Sequence, residues 1–96
     1  MTKVELIKWL ESYQDREKKI NDNIIRFVLP KGIQENDINQ KGSIVYALKN
    51  NKELNVSVVK GDWEYTTQRK VENKSLVIYS GKKAYLRNRY IVEVRF

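Results

Sequence analysis

Ninety-six residues, 41% of them hydrophobic and 32% charged, make one small globular domain and exclude both a disordered chain and a protein with two cores. Cysteine and histidine are both absent, which removes disulfides, thiol nucleophiles, thiolate or imidazole metal ligands and every Ser-His or Cys-His pair. The net charge of +7 lies wholly in residues 41–96, where twelve bases meet five acids, while residues 1–40 balance at seven of each.

Such asymmetry points the C-terminal part toward an acidic partner. No apolar run reaches the roughly 18 residues of a membrane-spanning helix. Lys3, Glu5, Lys8 and Glu11 also interrupt the stretch where a secretory signal would need its apolar region, so a cytoplasmic location is expected. The abundance of Lys, Ile, Asn and Tyr is the bias of an AT-rich genome, such as that of a low-GC bacterium or one of its phages.

The chain begins with a capping box, Thr2-Lys3-Val4-Glu5. Val4, Ile7, Leu10, Tyr13 and Ile20 then recur at helical spacing, with Leu6 and Trp9 widening the stripe, and Asp15 precedes Lys18 and Lys19 at helix-pair spacing. The pattern predicts a helix over about 3–20, ended by Asn21-Asp22-Asn23. Ile24–Leu29 reads as a strand closed by Pro30-Lys31-Gly32, and 33–42 as a long loop or one irregular helical turn. In that loop Asp37-x-Asn39-x-Lys41-Gly42 imitates a calcium-binding loop. The chemistry fails, because Lys41 takes a ligand position and Leu48 replaces the bidentate acid.

From Ser43 the period becomes two. Ser43–Lys49 and Lys52–Lys60 flank Asn50-Asn51 as a hairpin that sets Val45 against Val56 and Ala47 against Leu54, although Ile44, Val45 and Leu48 also fit a short helix. Further turn signals stand at Gly61-Asp62, Asn73-Lys74, Gly81 and Arg87-Asn88, with the β-rich runs Trp63–Arg69 and Ser75–Ser80 between them. The last strand alternates most clearly: Tyr90, Val92, Val94 and Phe96 face the core, and Arg89, Ile91, Glu93 and Arg95 face outward. With no linker, repeat or low-complexity tract, residues 1–96 form a single α+β domain. Its expected form is one N-terminal helix packed on an antiparallel β-meander of five to seven strands, as an open curved sheet or a small barrel.

The function-bearing set is Lys82, Lys83, Tyr85, Arg87, Arg89 and Arg95, where cations with a nearby ring suit a phosphate backbone and its bases. The competing reading is a set of surface ion pairs formed with Glu93 and cross-strand acids, each worth under about 1 kcal/mol. Trp63 and Tyr65, beside the Gly61-Asp62 signal, form either a partner anchor or part of the core. Four glycines supply no phosphate-binding loop and no GXXG clamp, and Gly81–Tyr85 lacks the aromatic spacing of an RNA-recognition strand.

The chain therefore reads as a non-enzymatic binding module whose basic C-terminal sheet engages RNA or single-stranded DNA. No cofactor or metal is expected. The alternative is a small effector or inhibitor of phage or mobile-element type that binds an acidic surface of a host protein. Third comes a metal-free ribonuclease of toxin type, in which Lys or Arg stabilises the phosphate and Tyr or Glu moves the proton.

Overall fold

Thr2 opens helix α1 (Lys3–Ser12) as the capping box requires: its hydroxyl accepts the Glu5 N–H at 3.2 Å, and the Glu5 carboxylate accepts the Thr2 N–H at 3.2 Å. A computed structural model describes residues 1–13, 18–73 and 76–96, and for 67–73 and 76–80 it describes the backbone alone. The helix is shorter than its apolar spacing predicts. Tyr13 leaves the helix with extended backbone, stacks on Trp9 at 4.5 Å and donates its hydroxyl to the Val28 carbonyl at 3.0 Å. The Lys18 ammonium donates to the Leu10 carbonyl at 2.9 Å, which satisfies one of the last acceptors of the helix. Asp15, expected on the helix surface, lies outside the described residues.

Residues expected to finish that helix instead form strand β1 (Lys18–Ile20), which pairs antiparallel with β2 (Ile24–Val28). Asn21 makes the turn between them, its side-chain oxygen accepting the N–H groups of Asn23 at 3.0 Å and Ile24 at 2.7 Å. The polar Asn21–Asn23 run is thus a hairpin turn and not a helix stop.

Two short helices follow, α2 (Glu35–Ile38) and α3 (Ile44–Lys49). The hairpin expected around Asn50-Asn51 is absent, and the helical alternative for 44–49 holds. Ser43 decides it: its hydroxyl accepts the Tyr46 N–H at 3.1 Å as a helix N-cap and donates to the Ile38 carbonyl at 2.7 Å.

The remaining chain is two strands, β3 (Asn55–Asn73) and β4 (Leu76–Arg95), joined in one antiparallel sheet of order β1-β2-β4-β3. The sheet is open and has four strands, not five to seven. Three expected turns lie inside it. Gly81 pairs with Gln68 in mid-strand, and Gly61-Asp62 with Arg87-Asn88 make a single bulge where the register shifts between Gly61 and Trp63. Of the Asn73-Lys74 signal, Asn73 pairs with Leu76, while Lys74 and Ser75 lie outside the described residues.

The core lies between the helices and one face of the sheet. Leu6, Leu10, Ile25, Phe27, Leu29, Ile38, Val45, Leu48, Val92 and Val94 are buried there, with Trp9, Val56, Val58 and Tyr90 packed against them. Phe96, expected with this set, is 39% exposed under the Lys3 ammonium. Val28 and Trp63 are also buried but lie outside this cluster.

β3 and β4 run on beyond this body. From Trp63↔Leu86 to Asn73↔Leu76 they pair, among the described residues, only with each other, over eleven residue pairs. The radius of gyration is 16.0 Å, against about 12.5 Å for a compact chain of this length. The long axis of the molecule is 54 Å against 27 and 20 Å.

Because Phe27 is fully buried at the centre of the body and touches both Trp9 and Tyr13, Phe27→Ala should destabilise the fold by about 3–5 kcal/mol in chemical denaturation.

Candidate nucleic-acid interface at the foot of the hairpin arm

The foot of the arm is built by a bulge. Asp62 of β3 stands opposite two residues of β4, Arg87 and Asn88, and Asn88 takes a left-handed backbone with φ 58. Asparagine tolerates that conformation better than most residues, and the extra residue re-aims the strand. The Asp62 carboxylate holds both members, accepting the Asn88 N–H at 3.0 Å and an Arg87 guanidinium N–H at 2.9 Å. These contacts, the Asn88 N–H first and Arg87 second, keep its carboxyl below the usual aspartate range.

Beside the bulge opens a cleft of about 470 Å³. One wall is the loop Pro30–Glu35, and the other is Lys60 with Arg87–Tyr90. Lys31, Lys60, Arg87 and Arg89 line it together with the acid Glu35, and Arg87 is paired with Asp62 beside it. Arg89 is tied to the loop wall, its guanidinium donating to the Leu29 carbonyl at 2.8 and 3.3 Å. The Leu29 N–H in turn donates to the Tyr90 carbonyl at 2.9 Å. Lys60 lies over the Tyr90 ring at 5.1 Å. A cleft of this composition can take one phosphate group by charge and by guanidinium hydrogen bonds.

The sequence-derived set divides among three places. Arg87 and Arg89 reach the cleft. Lys82, Lys83 and Tyr85 lie on the arm; Lys83 meets Glu64 at 3.3 Å, and the Arg87 guanidinium covers the exposed Tyr85 ring at 4.9 Å. Arg95 lies at the other end of β4 and does not join them. It donates to Glu93 at 2.6 Å, and Arg26 from β2 donates to the same carboxylate at 2.9 Å. Glu93 is held below the usual glutamate range, first by the Arg95 hydrogen bond and then by the Arg26 charge. Acids therefore break the predicted basic row at Glu64 and Glu93, so it is not one patch.

Of the anchor pair, Tyr65 is half-buried and Trp63 is 4% exposed, with the Lys19 ammonium 4.8 Å from its ring centre. Trp63 is therefore packed within the fold and not an exposed anchor. Its indole N–H has no acceptor among the described residues. Lys31 and Lys60 were not singled out by sequence reasoning. Lys31 is nearly thirty positions from Lys60, and only the folded loop brings the two together. Among the described residues no group of three or more Asp, Glu, His or Cys side chains gathers as a metal site, and no helix is long and apolar enough to cross a membrane.

No family model, no curated protein and no solved structure matches this chain.

The lowered carboxyls give the fold an acid limb. A carboxyl with a folded-state pKa below its unfolded value contributes its full stability above the unfolded value and loses it as pH falls through the folded one. The thermal midpoint should fall as pH drops below about 4. Asp62→Asn should lower the midpoint at neutral pH and make the acid fall shallower, as read by circular dichroism melts at graded pH.

Proposed function

We propose that this protein is a non-enzymatic binding module that engages nucleic acid through its basic C-terminal hairpin. The observation that carries this reading is the cleft at the foot of the arm, where Lys31, Lys60, Arg87 and Arg89 converge. The arm continues the same charge. In sequence, residues 66–83 hold the five bases Arg69, Lys70, Lys74, Lys82 and Lys83 against the one acid Glu72. A phosphate seated in the cleft would place the strand it belongs to along the arm, with the arm cations following the backbone.

A second reading is an effector or inhibitor of phage or mobile-element type whose arm meets an acidic host protein. The arm's uncovered strand edges favour it, because an edge can take a partner strand by main-chain hydrogen bonding. Salt separates the two readings, because only a nucleic acid releases condensed counterions with every phosphate neutralised.

Binding to nucleic acid should weaken by orders of magnitude between about 50 and about 200 mM salt. Lys31→Ala, Lys60→Ala and Arg87→Ala should each lower the log–log salt slope by about 1. A gel shift and an anisotropy titration measure both, and RNA should stay intact through the incubation. Absence of any shift at low salt, together with recovery of one stoichiometric acidic protein, would favour the second reading.

A further inference from the structure

We infer that the arm lies as a two-stranded ribbon in the major groove of B-form duplex DNA while the foot cleft grips a phosphate of the groove wall. This rests on the nucleic-acid reading above and narrows it to one form of nucleic acid.

The aromatic rings point away from single strands. A protein that binds single strands offers successive open rings for the bases to stack on. Here Trp63 is buried beneath Lys19, Tyr13 is stacked on Trp9, and Tyr90 is half-buried beneath Lys60. Tyr85 is exposed, but Arg87 covers one face of its ring. Tyr65 is half-buried, which leaves Tyr85 as the one exposed ring among the described side chains of the arm.

The dimensions point toward a duplex groove. Eleven residue pairs extend from the bulge, which at about 3.3 Å per residue is a ribbon of roughly 35 Å. That matches about one turn of B-form DNA, roughly 34 Å. The B-form major groove is about 12 Å wide and admits a two-stranded ribbon, whereas the major groove of A-form RNA is deep and too narrow for side chains to read.

Charge selects the occupant. Among the described residues neither a third strand nor a helix pairs with the arm, and a two-stranded hairpin is marginally stable in water, so the arm gains from a partner. Pairing with a second copy would bring two stretches of five bases and one acid together, and like charge opposes it. A polyanion can meet both the bases of the arm and the cleft lined by Lys31, Lys60 and Arg87.

The test is fluorescence anisotropy at about 50 mM salt with a labelled DNA duplex of about 25 base pairs, the matching RNA duplex and the single DNA strand. The DNA duplex should bind at least about tenfold tighter than either other probe. Methyl green, which occupies the major groove, should displace the protein, and distamycin, which occupies the minor groove, should not.

Replacing residues 66–83 by Asn-Gly joins the paired residues Tyr65 and Ala84 and, among the described residues, removes no member of the buried core. Duplex affinity should then fall by about a hundredfold or more. Should that chain fail to fold, Lys82→Glu with Lys83→Glu supplies the same reading, with a loss of at least about tenfold. Equal or tighter binding of single strands or RNA duplex, displacement by distamycin, or undiminished affinity in the arm variants overturns the groove assignment and leaves nucleic-acid binding standing. Failure of all three probes to bind overturns both.

Discussion

β4 is paired with β3 from Leu76 to Arg95 but with β2 only from Ile91 to Arg95, and this mismatch in length governs the molecule. Where β2 and the helices cover it, β4 supplies Val92 and Val94 to a closed core. Beyond that, among the described residues, it pairs only with β3. The Asp62 clamp stands at the boundary, with one carboxylate holding Arg87 and Asn88 together. A bulge increases local twist and bends its strand, so the place where the sheet loses its cover is also where the ribbon is re-aimed. The cleft opens at that point because the loop after β2 passes the bulge and is tied to it through Arg89 and Leu29.

The charge of +7 is large for so small a chain, yet the fold does not spread it evenly. Each of three acids meets a base in the C-terminal half: Asp62 meets Arg87, Glu64 meets Lys83, and Glu93 meets Arg95 and Arg26. Exposed pairs of this kind contribute little to stability, but they remove the field of a uniform basic face. By sequence, residues 66–83 carry five bases against one acid, and Lys31, Lys60, Arg87 and Arg89 line the foot cleft. Under the nucleic-acid reading proposed above, one polyanion engages both places at once. A flat acidic surface anywhere on the sheet would not need them to be continuous.

Local signals in the sequence are legible where a short-range interaction decides the structure. The Thr2–Glu5 capping box and the alternation Tyr90, Val92, Val94 stand as expected. The errors came where a tertiary contact outweighed a local pattern. Ile20 continues a helical stripe in sequence, but Tyr13 turns out to stack on Trp9 and reach Val28, and the chain returns as a strand. Gly61-Asp62 and Arg87-Asn88 both look like turns, because the residues that permit a tight turn also permit a bulge. Only the partner strand distinguishes the two. Gly81 gave the same false signal in mid-strand. Half of the site was legible for a related reason: Arg87 and Arg89 lie in the strand that drew attention, whereas Lys31 arrives from a loop with no periodic pattern at all.

If the arm and its foot act as one binding surface for nucleic acid, both are shielded when a duplex binds. Amide hydrogen exchange with and without a DNA duplex tests it most directly, because it reports both regions separately in one experiment. Protection should rise together at the arm amides and at the cleft residues 31–35 and 87–90, with the amides of α1 unchanged. Protection that rises at the body helices alone, or at neither arm nor cleft, would contradict the account.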